Sequence, residues 1–112
     1  VTCPHSNTTT IATFNSNVYG SAGALDLENC KYIRITNVST SAVMDIAIVT
    51  ENTNYQVVMT AGSSHMLCQA DTAAIAEADT SPNFPTLEDV TSIQVRPRST
   101  DDVDVEIFVA SV

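Results

Sequence analysis

The feature that most constrains the fold is the alternation of apolar and polar side chains in residues 87–112. Two runs show it, residues 93–96 and residues 102–109, in which Ile93, Val95, Val103, Val105, Ile107 and Val109 alternate with Gln94, Arg96, Asp102, Asp104, Glu106 and Phe108. A period of two places one row of side chains on a core and the other in water, which is typical of an antiparallel sheet. The sequence therefore predicts two strands here, with the acidic row of the second facing solvent and pairing with Arg96 and Arg98 of the first.

Further short segments have the composition of strands between turn signals. They share β-branched or aromatic residues, and they are residues 8–14, 31–37, 42–50, 55–60 and 64–69. The polar tetrad at residues 51–54 predicts a hairpin between two of them. Pro82 and Pro85 place residues 80–86 in a surface loop, since proline removes backbone donors. The Ala-rich stretch that precedes this loop allows at most one short helix near residues 71–79, or an irregular strand.

Seven or eight short strands with no long helix predict an all-β fold. With 112 residues the chain has room for one core. We therefore predict a single-domain antiparallel β-sandwich over residues 1–112, of the jelly-roll or Ig-like type. Residues 1–6 are either an extended N-terminal arm over a neighbouring subunit or a frayed end.

The net charge of the chain argues against two classes of partner. Thirteen acidic and four basic residues give a formal net charge of -9. A negative field of this kind repels phosphate groups and anionic lipids. The sequence also has no apolar run near the length of about 20 residues that a membrane helix needs. We therefore expect neither nucleic acid nor a membrane surface as a direct partner.

The three cysteines, Cys3, Cys30 and Cys68, are odd in number and widely spaced. This spacing argues against a disulfide framework, so we predict no disulfide, with one pair and one free thiol as the alternative. Cys30 and Cys68 lie at or within apolar segments and are expected to be buried. A zinc site that also used His5 and His65 would need four converging ligands, and the close Cys pairs of zinc ribbons are missing. No zinc and no other cofactor is expected.

The densest cluster of carboxylates is Asp101, Asp102, Asp104 and Glu106. Carboxylates of this kind can hold calcium, but a strand spreads alternate residues along a line at about 6.8 Å per two residues. The segment also has no glycine turn to curl the backbone around an ion. We therefore predict no metal site, and keep Asp101 and Asp102 as weak calcium candidates in a loop that another segment would complete.

Two short motifs in the sequence do not indicate a function. Residues 62–65, Gly-Ser-Ser-His, do not form the glycine-flanked elbow of a serine hydrolase, and no nucleophile, base and orienting acid can be assigned together. We expect no enzymatic activity. Asn7 and Asn37 begin matches to the N-glycosylation acceptor pattern, which a chain rich in Thr and Ser produces by chance.

From Cys30 to the end, the pattern resembles small all-β virion proteins of tailed bacteriophages, namely capsid decoration proteins, head fibres and tail accessory subunits. The residues that carry the resemblance are KYIRITNVSTSAVMDIAIVTENTNYQVVMTAGSSHMLC and LEDVTSIQVRPRSTDDVDVEIFVAS. In such proteins a strand ending in an I-x-N-x-S turn is often followed by a hairpin, a Gly-Ser return and a closing pair of strands. The resemblance covers about three quarters of the chain. Residues 71–85 do not fit it, and it transfers no functional residue.

The resemblance implies a non-enzymatic structural protein located in the virion, a capsid decoration or head/tail accessory subunit. Its partners would be the major capsid or tail proteins of the same particle, and it would form a homo-oligomer, with a trimer as the guess. Tyr19, Tyr55, Phe84 and Leu87 are the candidate interface residues, because exposed aromatic side chains are what interfaces bury. The alternative for Phe84 and Leu87 is that they close one end of the sandwich.

A competing hypothesis makes the chain a recognition module. Loops on a rigid β scaffold often bind ligands, so one end of the sandwich would take a glycan or a cell-surface receptor. The absence of Trp and an aromatic content of only 5% leave few flat surfaces for stacking on sugars.

Overall fold

The part of the chain that the structure describes contains nine β-strands, and the longer ones follow the strand segments predicted from the sequence. A computed structural model describes residues 1–15, 25–27, 29–98 and 100–111. In chain order the strands are β1 (Thr2–Cys3), β2 (Thr9–Asn15), β3 (Leu25–Asp26), β4 (Cys30–Asn37), β5 (Met44–Thr50), β6 (Asn54–Met59), β7 (Ser64–Leu67), β8 (Val90–Pro97) and β9 (Val103–Ser111). Helices are absent from the described residues, so none there is long and apolar enough to cross a membrane.

The strands are arranged in two sheets. The front sheet has the order β1-β9-β4-β7 and the back sheet has the order β3-β2-β8-β5-β6. The short strand β3 pairs in parallel with β2, and the eight other strands are antiparallel. If β3 is left out and the remaining eight strands are counted in chain order, the front sheet has the order 1-8-3-6 and the back sheet has the order 2-7-4-5. The predicted all-β sandwich is confirmed, and this order is that of a jelly roll rather than an Ig-like fold.

The core consists of the inward rows of both sheets, which pack into one cluster. In β5 the side chains of Met44, Ile46 and Ile48 are fully buried, and in β8 those of Ile93 and Val95 are too. Full burial of each such side chain contributes roughly 1.5–3 kcal/mol. The period-two rows read from the sequence are therefore the rows that hold the two sheets together.

The two C-terminal strands lie in different sheets. β8 lies between β2 and β5, whereas β9 lies between β1 and β4. The expected pairing of the acidic row with Arg96 and Arg98 is therefore wrong. Glu106 instead lies 3.7 Å from Arg34 on β4, and Arg98 lies 2.9 Å from Asp45 on β5. Alternation determines which side chains face the core, but it does not determine which strand lies alongside.

The N-terminal residues lie along the outer edge of β9. Val1 and Val105 exchange two backbone hydrogen bonds of 2.8 Å each. The hydroxyl of Thr2 donates to Asp104 Oδ1 at 2.8 Å. Residues 1–6 thus begin with a strand of the front sheet, and a carboxylate of the acidic row takes part in holding it there.

The Ala-rich stretch forms an irregular loop, so of the two alternatives that the sequence allows near residues 71–79 the short helix does not occur. Ala74 instead forms an isolated antiparallel bridge with Glu88. The backbone amides of Ala73 and Ala74 donate to Glu88 O at 2.9 and 3.2 Å. Thr72 has a positive φ of 46°, which a right-handed helix does not allow. Ala74 is part of the hydrophobic core and Ala73 packs against it, so this loop is held by burial and by backbone hydrogen bonds.

All three cysteines are thiols. Cys3 and Cys30 are buried, and burial raises the pKa of the Cys3 thiol. Cys68 is exposed, so the expectation that it is buried was wrong. Cys68 lies one residue beyond the end of β7, so the alternation of buried and exposed side chains within the strand does not extend to it.

Asn37 is a fully buried polar residue at the end of β4. Its Nδ2 donates to Ala42 O at 2.9 Å and to Met59 O at 3.1 Å, while its Oδ1 accepts from Ser39 N at 3.1 Å. The side chain therefore links β4 to the following loop and to the end of β6. The amide that the acceptor pattern would glycosylate is thus buried and hydrogen-bonded in the folded protein.

Candidate functional site

The candidate site is a concave apolar surface beside the β7–β8 loop, which we call the loop groove. It has a volume of about 460 Å³. It is lined by Tyr55, Leu67, residues 73–75, Glu77, Asp79, Pro82, Phe84, Pro85 and Leu87. Three of the four predicted interface residues, Tyr55, Phe84 and Leu87, therefore lie around one surface. The fourth, Tyr19, is outside the residues that the structure describes.

Two edge strands supply one wall of the loop groove. β6 is the last strand of the back sheet and β7 is the last strand of the front sheet. Tyr55 on β6 and Leu67 on β7 both pack against the hydrophobic core and remain half-buried. The alternation in each strand turns these side chains inward, which places them at the opening between the two sheets.

Tyr55 contacts His65 across this opening. The Tyr55 hydroxyl lies 3.0 Å from His65 Nε2, and the two rings meet edge to face with centroids 5.9 Å apart. Burial raises the pKa of Tyr55 and lowers the pKa of His65, because it disfavours the charged form of each group. The pair is therefore a neutral hydrogen-bonded contact near neutral pH, and it fixes the position of the Tyr55 ring.

Phe84 is the most exposed large apolar side chain of the groove. It is 87% exposed, and its backbone has a positive φ of 49° directly before Pro85. A left-handed conformation at a residue other than glycine costs about 1–3 kcal/mol. The alternative that Phe84 closes the sandwich does not fit this exposure, whereas Leu87 is half-buried. An aromatic ring held out in a strained loop is typical of a contact residue.

Glu88 anchors the base of the loop. Its Oε1 accepts from the hydroxyls of Thr50 and Thr53 at 2.7 and 3.0 Å, and its Oε2 accepts from Asn52 Nδ2 at 2.6 Å. These hydrogen bonds, the one from Thr50 foremost, lower the pKa of Glu88. Thr53 Oγ1 also accepts from Ala76 N at 3.2 Å. The β5–β6 turn thus holds the loop that carries one wall of the groove.

Charge is unevenly distributed around the groove. Residues 51–95 contain no Lys or Arg, and their acidic residues are Glu51, Asp71, Glu77, Asp79, Glu88 and Asp89. Hydrogen bonding to the Asp89 carboxylate raises the pKa of Glu51 and of Asp71. Closely spaced carboxylates produce such shifts because the second charge is unfavourable. This end of the molecule therefore carries a negative field.

A second exposed cluster lies on the outer face of the front sheet, and we call it the aromatic patch. Met66, Arg34 and Phe108 are register partners across β7, β4 and β9. The Arg34 guanidinium lies 5.5 Å from the Phe108 ring centroid, and the Tyr32 ring meets Phe108 edge to face at 5.9 Å. Met66 and Phe108 are 59% and 49% exposed.

Sequence reasoning missed this patch, although one signal for it was present. Phe108 occupies the solvent-facing phase of the alternation in β9, where an aromatic residue is unusual. Tyr32 and Met66 could not be assigned to it, because their proximity depends on the pairing of β4 with β9 and β7. Leu67 in the loop groove was missed for the same kind of reason.

The calcium candidates lie at the opposite end of β9 from the C-terminus. Asp102 Oδ1 accepts from His5 N at 2.9 Å. Asp101, Asp102 and Asp104 border a polar cavity of about 290 Å³ beside the β4–β5 loop. Within the described ranges, however, no group of three or more His, Cys, Asp or Glu side chains is arranged to hold a metal ion.

Comparisons with known proteins add no relative. No family model, curated protein or solved structure matches the chain. The geometry of the loop groove and the charge around it are therefore the basis for the function proposed below.

Proposed function

We propose that this protein is a non-enzymatic structural subunit of a virus particle, a capsid decoration or head/tail accessory protein. In this proposal it binds a repeated lattice of major capsid or tail protein through the loop groove. The observation that carries it is the gathering of Tyr55, Phe84 and Leu87 around one concave apolar surface on a rigid sandwich. Aromatic side chains at the centre of a contact supply most of its binding free energy.

A lattice partner also suits the modest size of the groove. One groove of about 460 Å³ buries few side chains, so a single contact is expected to be weak. On a symmetric particle the same contact is repeated, and linked copies gain avidity without new contacts. A homo-oligomer, with a trimer as the guess from the resemblance, would present several grooves at once.

The strand order supports the proposal by analogy. Jelly rolls occur in viral capsid domains, and also in lectins and cupins. A fold is shared by many functions, so this support is weaker than that of the groove itself.

The experiment is a density gradient that separates particles from unassembled protein in the source material, followed by quantitative mass spectrometry. We expect the chain to migrate with particles at a constant ratio to one major shell or tail protein. Phe84→Ala should remove this association, whereas Val58→Ala, which truncates a residue 51% exposed on the outer side of β6, should not. Absence of the chain from every particle fraction would contradict the proposal.

A glycan-binding or receptor-binding module is the second candidate. The exposed ring of Phe84, in a groove that Tyr55 also lines, is the observation that favours it, since sugars stack on aromatic faces. Glycan binding by protein that is absent from particles, lost in Phe84→Ala, would establish this function instead.

A further inference from the structure

We infer that the loop groove binds an extended polypeptide segment in which a large apolar side chain is flanked by Lys or Arg. This inference rests on the proposed function, because it takes the groove as the contact surface and specifies the chemistry of its partner. It follows from two properties of the groove: an apolar lining, and an acidic rim formed by Glu77 and Asp79.

The apolar part of the groove selects the anchor side chain. Tyr55, Leu67 and Leu87 are half-buried in the wall, and Phe84 projects from the loop. The volume of about 460 Å³ lies within the range of roughly 300–1,000 Å³ that is usual for ligand sites. A Leu, Met or Phe side chain of the partner would cover the exposed face of Phe84 and would itself be removed from solvent.

The rim selects positive charge beside that anchor. Glu77 and Asp79 both line the groove. Glu77 Oε2 accepts from the backbone amide and the side-chain amide of Asn83, each at 3.3 Å, so it lies next to the turn that carries Phe84. Carboxylates beside an apolar surface attract cations more strongly than carboxylates in open water.

The cationic residues of the chain itself do not line the groove, although the charge of Lys31 acts on Asp71 and partly offsets the rise in its pKa. They are Lys31, Arg34, Arg96 and Arg98, and among the described residues none of them lines the groove. Arg34 lies on the aromatic patch beside Glu106, and Arg98 binds Asp45 on the back sheet. The acidic rim therefore has no basic partner among these four side chains, and a basic partner segment complements it.

The position of the groove favours an extended segment over a compact ligand. The groove lies where β6 and β7 end their sheets, and among the described strands each of these two pairs with one neighbour only. Extended peptides bind beside such sheet edges, where pockets receive alternate side chains.

The test uses the full chain and three synthetic peptides with blocked termini. In the first, Leu and Phe lie between lysines; in the second, glutamates replace the lysines; in the third, serines replace Leu and Phe. Binding is measured by fluorescence anisotropy, and the contact surface by amide chemical shifts. We expect only the first peptide to bind, with shifts at Tyr55, Phe84 and Leu87.

Variants separate the apolar from the ionic contribution. Phe84→Ala should weaken binding by about 30-fold, as loss of a hot-spot side chain does. Glu77→Gln with Asp79→Asn should weaken it by between about 2- and 30-fold, the range for two exposed ion pairs, and should reduce its dependence on salt. Val58→Ala is the matched control and should leave binding unchanged.

The failure of this inference is distinguishable from the failure of the proposed function. Equal binding of the lysine and glutamate peptides, or no effect of the Glu77 and Asp79 changes, would overturn the inference. If particle association then still requires Phe84, the structural role stands with a partner of different chemistry. Specific binding of the lysine peptide by a protein absent from all particles would support the inference and refute the virion role.

Discussion

Thr50 Oγ1 lies 2.7 Å from Glu88 Oε1, and this hydrogen bond joins the end of β5 to the segment that enters β8. Thr50 is only 4% exposed, and its hydroxyl also accepts from Thr53 N at 3.2 Å. The two strands are already neighbours in the back sheet. The additional contact holds the start of β8 and the loop before it against the β5–β6 turn, and so determines where the wall of the loop groove lies.

Thr50→Val tests this contact with a side chain of similar shape. We expect the free energy of unfolding to fall by more than in the control below, since the buried Thr50 hydroxyl loses its hydrogen bond to the Glu88 carboxylate. Urea denaturation measures the change. Thr10→Val, at an exposed position of β2, is the control and should shift stability by less than about 0.5 kcal/mol. Equal stability of Thr50→Val and the parent would show that the contact does not hold the loop.

Asn37→Ala should be among the most destabilising single changes. It removes both Nδ2 hydrogen bonds and leaves the carbonyls of Ala42 and Met59 with fewer partners in a buried site. The expected loss is roughly 2–4 kcal/mol, because each unsatisfied buried group costs about 1–3 kcal/mol. Thermal unfolding is the measurement, with exposed Asn54→Ala as the matched control. A loss as small as that of the control would mean that water replaces the side chain.

Stability should fall as the pH is lowered below 6.5 in a manner that depends on His65. Burial lowers the pKa of His65 in the folded protein below the ordinary value of 6.5, so the unfolded chain binds the proton more readily. The stabilisation is thus complete above pH 6.5 and is lost as the pH falls through the lowered pKa.

His65→Gln should remove this part of the pH dependence while keeping a polar partner for Tyr55. Unfolding midpoints of both proteins across this pH range provide the measurement. Glu51 and Asp71 have raised pKa values, and their protonation at lower pH acts in the opposite direction. Since both proteins contain these carboxyls, the difference between the two curves isolates His65. Parallel curves would contradict the prediction.

Substitutions of Phe84 test whether its side chain is exposed and whether its backbone conformation is strained. Phe84→Ala should change stability by less than about 0.5 kcal/mol, because the ring is 87% exposed. Phe84→Gly should be more stable than Phe84→Ala by up to about 1 kcal/mol, since glycine adopts the positive φ of 49° without strain. This reverses the usual order of the two residues. A loss above about 2 kcal/mol in both variants would instead show that the ring packs in the end of the sandwich.

Much of the fold was readable from local pattern. The alternation in residues 93–96 and 102–109 identified β8 and β9, and residues 51–54 marked the turn of the β5–β6 hairpin. The pairing of β9 with β4 was not readable, because strands with the same alternation can pair with one another in many orders. The two-residue strands β1 and β3 were missed because so short a segment has no measurable period.

The candidate site was likewise only partly predictable from the sequence. The sequence predicts Tyr55, Phe84 and Leu87 as interface residues from residue type and their position in or near loops, and the fold brings them to one groove. The contact of Tyr55 with His65 and the row of Met66, Arg34 and Phe108 depend on strands that are distant in the chain. Composition gave no sign of either.

The sequence by itself determined most of the side chains that enter the core, where most strands begin and end, and that residues 51–95 carry only acidic charge. These properties are local, since they depend on the period of a strand and on residue type. Only the tertiary structure decided the jelly-roll order, the partners of β8 and β9, and the placing of Tyr55 and Phe84 around one groove. Those depend on which hydrogen-bonding edges find each other when the two sheets close on a common core, and such long-range choices leave no periodic trace in the chain.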